Sequence, residues 1–261
     1  LAAIDGKDDV VLGNIIGSNN FNLLLILGIA GLIYPLVVNR NTVWKEIPYS
    51  LVAALVLLFL ANDAWFGGGV GIIYRLDGTI LLVMFGLFLA YIALSLKQEG
   101  ATGDDEEIKL RPLWQTALYV VGGLAGLVFG GKLVVDNAIA ISQTMGVSER
   151  IISLTIVSAG TSLPELATSA VAAYRRKSDL AVGNIIGSNI FNIFLILGIS
   201  ALVKPIVYND VFNESVYLLL GGTVLVFLAM FVGKRKILER WQAALLLLGF
   251  IGYTIYLIAQ G

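Results

Sequence analysis

The 261-residue chain has no cysteine and no histidine. Without cysteine, disulfides and thiolate metal sites are excluded. Without histidine, the usual general base, the commonest zinc ligand and the side chain that titrates nearest neutrality are all missing. Charge is also scarce: Asp, Glu, Lys and Arg make up 13% of the residues and nearly cancel, leaving a formal net charge of −1. Nucleic-acid binding needs a basic excess, so it is excluded as a partner class. Hydrophobic residues fill 58% of the chain and the mean hydropathy is +0.89, outside the usual range of water-soluble domains. The expected solvent is therefore a lipid bilayer. The chain opens on Leu1 and carries no signal-peptide pattern, which reads as a chain lacking its true start.

At roughly 20 apolar residues per crossing, about eight segments are expected, near 10–38, 47–66, 70–96, 113–142, 148–174, 180–204, 212–233 and 240–259. The fold class is therefore all-α, a polytopic membrane protein. The connections are short except for 97–112, which carries Asp104, Asp105, Glu106 and Glu107. This acidic stretch reads as a solvated linker between a first unit, 1–96, and a second, 113–261. It lacks the glycine and ligand spacing of a calcium loop. Alternating the loops between two sides puts Arg40, Lys45, Lys97, Lys109, Arg111, Arg175, Arg176, Lys177, Lys234, Arg235, Lys236 and Arg240 together, against Lys7, Arg75, Arg150 and Lys204 opposite. The richer side is expected to be cytoplasmic, with the 97–112 linker there and the C-terminus outside.

Two segments are near copies. Val10–Val38 and Leu180–Tyr208 align at an offset of 170 with 17 of 29 positions identical, and both contain GNIIGSNxFN. About five crossings separate their starts, an odd number, so the copies enter the membrane from opposite sides. Inverted repeats of this kind are the architecture of secondary transporters, which bind substrate where the halves meet.

The second copy is preceded by IISLTIVSAGTSLPELATSAVAA, residues 151–173. Pro164 should kink or break that helix. The carbonyls so freed are tolerated in a membrane only where protein or a polar cavity surrounds them. Glu165 is an ionisable residue near the middle of the segment, which marks a functional position. Helical spacing sets Ser158, Thr161, Ser162 and Glu165 on one face. Asn184, Ser188 and Asn192 share another, matched in the first copy by Asn14, Ser18 and Asn22. A carboxylate, hydroxyls, amide oxygens and free carbonyls are hard ligands suited to Na⁺ and Ca²⁺, with nothing soft for copper or zinc. Taken singly, Gly, Ser and Asn in membrane helices also serve close packing and interhelical hydrogen bonds. Gly122, Gly126 and Gly130 in the fourth segment suggest such a packing face, and Asn62 and Asp63, at a segment end, an interfacial position. Trp65, Trp114 and Trp241 lie near segment boundaries, where indole rings prefer to sit.

GTSLPE at 160–165 followed by GNIIGSNIFN at 183–192, with GNIIGSNNFN at 13–22, resembles the repeats of the cation/calcium exchanger superfamily, the group that contains sodium/calcium exchangers. By that resemblance the cations are held by Thr161, Ser162, Glu165, Ser188, Asn192, Ser18, Asn22 and the backbone carbonyl of Ser158. It further implies alternating access in a cell (inner) membrane, Na⁺ entry driving Ca²⁺ extrusion, and no cofactor. Asn192, where some members carry Asp, argues against potassium dependence. A first-half partner of GTSLPE would precede Leu1, so the resemblance implies ten crossings in the intact protein. Glu165 alone would then leave about one positive charge of a divalent ion uncompensated, so the 261-residue chain is expected not to bind or exchange Ca²⁺ as the intact protein should.

Other readings remain open at this level. A Ca²⁺/H⁺ exchanger would be expected to carry a further acid where Asn22 and Asn192 stand. A membrane-embedded hydrolase would need a His, an Asp dyad or a phosphate-binding Arg near the core. A channel or a scaffold would use the same polar faces without coupled exchange.

Overall fold

The computed structural model describes residues 6–63, 70–99 and 112–260. Among these residues the helices are α1 (Asp8–Ile33), α2 (Thr42–Ala61), α3 (Arg75–Glu99), α4 (Leu113–Thr144), α5 (Glu149–Thr161), α6 (Leu163–Tyr174), α7 (Ser178–Val203), α8 (Asp210–Ala229) and α9 (Arg240–Gln260). Seven are long and apolar enough to cross a membrane, and the α5–α6 pair, counted as one broken span, makes an eighth. The chain is thus an all-α, multi-pass membrane protein.

The break between α5 and α6 bends the chain by 50° at Ser162. Pro164 is its cause: the ring has no N–H to continue the ladder and clashes with the carbonyl four residues earlier. Placed in the first turn of α6, the same proline is harmless, because an N–H there has no intrahelical partner to lose. Wide π-helical turns interrupt α1 at Phe21–Ile26 and α7 at Asn192–Leu197, the same place in each repeat. A third, Ser153–Val157, lies in α5. Such turns recur at functional positions because they leave the regular ladder.

Helix α1 is the core of the molecule. Leu12, Ile15, Ile16, Leu23, Ile26 and Leu27 are all sealed from its surface. The outer faces of α3 and α4 instead expose Leu87, Leu94, Val120, Val121 and Phe129, as lipid contact requires.

Two short antiparallel ladders clip the ends of the bundle, a feature the hydropathy does not signal. β1 (Leu36–Val37) pairs with β4 (Ile237–Leu238), and β2 (Ile72–Ile73) pairs with β3 (Ile206–Val207). Each ladder joins two connections that loop alternation assigns to the same side. Shifting by one repeat turns β1 into β3 and β4 into β2, so the two ladders exchange as an inverted pair should.

Three sequence expectations need correction or lie elsewhere. Asn62 does lie at the C-terminal end of α2, but inside the bundle rather than on its surface. It is 1% exposed and locked in a reciprocal amide pair with Asn213, at 2.8 and 3.0 Å. Tyr208, whose hydroxyl donates to Asn213 Oδ1 at 2.9 Å, is also buried, which pushes the phenol pKa well up. Nor do Gly122, Gly126 and Gly130 form a packing face, since nothing lies within 4 Å of where their Cβ atoms would stand. α4 packs further along, where Val135 fills the space beside Gly160 and Leu163 lies against Gly131. The acidic tract Asp104–Glu107 and Trp65 lie outside the described residues.

Candidate cation site between the repeats

The site begins with two glycines. A Cβ on Gly13 would collide with Ser153 Oγ, and one on Gly17 with Ser158 Oγ and the Leu154 carbonyl. Their absence lets α1 and α5 approach until hydroxyls of one helix reach carbonyls of the other. Ser153 Oγ donates to Asp9 O at 3.2 Å, and Ser158 Oγ lies 3.2 and 3.3 Å from the Gly13 and Asn14 carbonyls.

One turn deeper, the crossing becomes an oxygen cluster. Ser18 Oγ stands 3.0 Å from Thr161 Oγ1 and 3.4 Å from the Ser158 carbonyl. Thr161 Oγ1 also reaches Asn14 Oδ1 at 2.9 Å and Ser158 O at 3.2 Å. Past the break, Ser162 is buried, and Glu165, in the first turn of α6, faces α7. There Ser188 Oγ donates to Glu165 Oε1 at 3.4 Å, and Asn184 Nδ2 to Ser169 Oγ at 3.0 Å.

The third cluster lies where α1 crosses α7. Asn22 Nδ2 donates to Asn189 Oδ1 at 3.1 Å, and Asn192 Nδ2 donates to Asn19 Oδ1 at 3.1 Å. Advancing the first bond by 170 residues gives the second, so the two are symmetry mates within one chain. Asn189 Nδ2 adds a bond to the Asn19 carbonyl at 3.2 Å. Spacing alone did not single out Asn19 and Asn189, because they lie off the Ser–Asn face. Their signal was the Asn-x-x-Asn that recurs in both copies.

Seven of the eight residues expected at the site therefore lie on the crossing helices α1, α5, α6 and α7, in three adjoining polar clusters, and the eighth, Ser162, is buried at the break between α5 and α6. Two buried oxygens there have no hydrogen-bond partner, Glu165 Oε2 and Asn22 Oδ1. A buried acceptor left without a donor is unfavourable by about 1–3 kcal/mol, and more when charged, so both atoms are suited to a hard cation. The described residues hold no group of three or more Asp and Glu side chains, which leaves neutral oxygens as most of the donor set. Replacing Asn189 with Leu strands the Asn22 amide nitrogen and should destabilise the protein by about 1–3 kcal/mol. Thermal melting in detergent measures it, and Asn19→Leu, which removes one side-chain hydrogen bond instead of two, should cost less.

Comparison with known proteins agrees with this architecture. The family model described as sodium/calcium exchanger protein matches residues 1–94 and 116–259. A protein of Alkalimonas amylolytica, CaxA, whose name proposes an antiporter, is 35% identical over 270 residues, covering 99% of this chain and 82% of that one. The inner membrane protein YrbG of Escherichia coli is 35% identical over 217 residues, 78% of this chain and 63% of YrbG. Among solved structures, the sodium-calcium exchanger NCX_Mj soaked with 100 mM Na⁺ and 10 mM Sr²⁺ superposes with a TM-score of 0.74 at 28% identity, over 97% of this chain and 78% of that one. The chain belongs to the sodium/calcium exchanger protein family, whose members are cation antiporters of the membrane and not enzymes.

Proposed function

We propose that the protein exchanges Na⁺ for Ca²⁺, with both ions held by Thr161, Ser162, Glu165, Ser188, Asn192, Ser18, Asn22 and the Ser158 carbonyl. The observation that carries this reading is the pair of buried, unpartnered oxygens, Glu165 Oε2 and Asn22 Oδ1, on helices from opposite repeats. A cation bridging them would hold the two halves in one arrangement, and its release would let them rearrange, as alternating access requires. Sodium is favoured over the proton as the driving ion because positions 22 and 192 carry amides, which do not titrate. The likeness to an exchanger described as sodium-calcium supports the same choice. By the distribution of Lys and Arg, the 97–112 linker is cytoplasmic, the C-terminus is outside, and the repeats occupy 1–96 and 113–261.

The test is ⁴⁵Ca²⁺ uptake into proteoliposomes under an imposed Na⁺ gradient, and separately under a pH gradient. Uptake that follows the Na⁺ gradient is expected. Uptake driven by the pH gradient alone would assign the proton as the coupling ion and overturn the sodium reading.

A further inference from the structure

Where α1 crosses α7, two side-chain amides hang in series from one main-chain carbonyl. Asn189 Nδ2 donates to the Asn19 carbonyl at 3.2 Å, and Asn22 Nδ2 donates to Asn189 Oδ1 at 3.1 Å. Asn19, Asn22 and Asn189 are each no more than 1% exposed, so bulk water cannot stand in for a missing partner.

An amide side chain is nearly symmetric in shape but not in chemistry, since one end only donates and the other only accepts. Turned over, it fills the same space with opposite polarity. The first group in the series decides between the two settings, and here it is a carbonyl, which can only accept. Asn189 therefore presents its nitrogen to Asn19 and its oxygen to Asn22. Asn22 must answer that oxygen with its own nitrogen. The Asn22 oxygen is left over, buried and without a partner.

The repeat-related link lacks this anchor. Asn192 Nδ2 donates to Asn19 Oδ1 at 3.1 Å, but Asn19 Nδ2 has no hydrogen-bond partner among the described residues. Complete symmetry would have it donate to the Asn189 carbonyl. With that bond absent, either setting of the Asn19–Asn192 pair makes one hydrogen bond, and the link specifies no direction.

We infer that Asn189, held by the Asn19 carbonyl, is a positioning residue that fixes Asn22 with its amide oxygen toward the cation. The inference rests on the reading of Asn22 as a cation ligand and adds what aims it. Reversed, Asn22 would set N–H donors against the ion in place of a lone pair. The direction of one amide thus decides whether position 22 attracts a cation or repels it.

The test is a thermal-melting titration of the whole chain in detergent with NaCl and, separately, with CaCl₂, choline chloride holding the ionic strength constant. Asn189→Leu frees Asn22 to turn and should weaken ion binding roughly tenfold, the scale set by one orienting hydrogen bond to a buried amide. Asn22→Asp carries an oxygen at both ends, so its direction no longer matters. In that background Asn189→Leu should not weaken binding. Asn19→Leu keeps the Asn19 carbonyl and should show no such dependence on position 22. Should the leucine variant fail to fold, Asn189→Ser replaces it, because a hydroxyl can donate or accept and so imposes no direction. Equal weakening in both backgrounds would make Asn189 merely structural and overturn the inference, as would unchanged binding when Asn22 is present. A wild type whose melting responds to neither ion would instead overturn the assignment of Asn22 as a ligand, and the inference with it.

Discussion

If the proposed function holds, Glu165→Gln should abolish Na⁺-driven Ca²⁺ uptake while leaving the ion-free protein at least as stable as wild type. The two halves of this result have one cause. Glu165 Oε2 is buried without a hydrogen-bond partner, and Oε1 has only a 3.4 Å contact with Ser188 Oγ. In the empty protein such a carboxylate is poorly compensated, so a neutral isostere relieves strain rather than adding it. With a cation bound, the same charge is the largest favourable contact available to it. Breaking a buried charge pair by removing one partner costs about 3–5 kcal/mol, or roughly 10²–10⁴ in affinity. Melting with and without Ca²⁺ separates the roles: ligand should raise the melting temperature of wild type and leave that of Glu165→Gln unmoved. A variant that still transports would remove Glu165 from the site. A variant that melts far below wild type without ion would make the residue structural.

The second large effect is an inequality between repeat-related glycines. Gly17→Ala should unfold or severely destabilise the protein, by at least about 3 kcal/mol, because the added methyl meets not only Ser158 Oγ but also the Leu154 backbone across the α1–α5 crossing, which cannot turn away. At Gly187, the same position in the second copy, nothing among the described residues lies within 4 Å of the Cβ. There Gly187→Ala should be tolerated, and the higher helix propensity of Ala offers up to about 1 kcal/mol in its favour. Yield and melting temperature of the two variants of this 261-residue chain decide it. Equal loss at both positions would mean that the Gly187 face is covered in the folded protein.

Much of the candidate site was legible in the sequence because its parts are local. Ser158, Thr161, Ser162 and Glu165 fall on one face by helical spacing, and the break at Pro164 follows from the missing N–H of that single residue. The two GNIIGSN runs declare the repeat, and the count of crossings between them declares the inversion. Hydropathy alone sufficed for the spans, since a backbone in lipid must form helix wherever the chain is apolar for about 20 residues.

What the sequence left undecided depends on which helix lies against which. Asn19 and Asn189 sit about 60° round their helices from Asn22 and Asn192, so their roles appear only once α1 crosses α7 and each amide finds its mate across the pseudo-symmetry axis. That Asn62, at the end of α2, is buried and paired appears only once Asn213, 151 residues away, is found beside it. Glycine is the clearest instance. Gly13 and Gly17 lie in the same GNIIG run as Gly183 and Gly187, yet among the described residues one pair is pressed against α5 and the other has no neighbour within 4 Å of its Cβ positions. The repeat, the spans and the set of candidate oxygen ligands are properties of the chain taken residue by residue. Which glycine is a contact and which is a hollow is a property of the partner helix, and the tertiary structure alone supplies the partner.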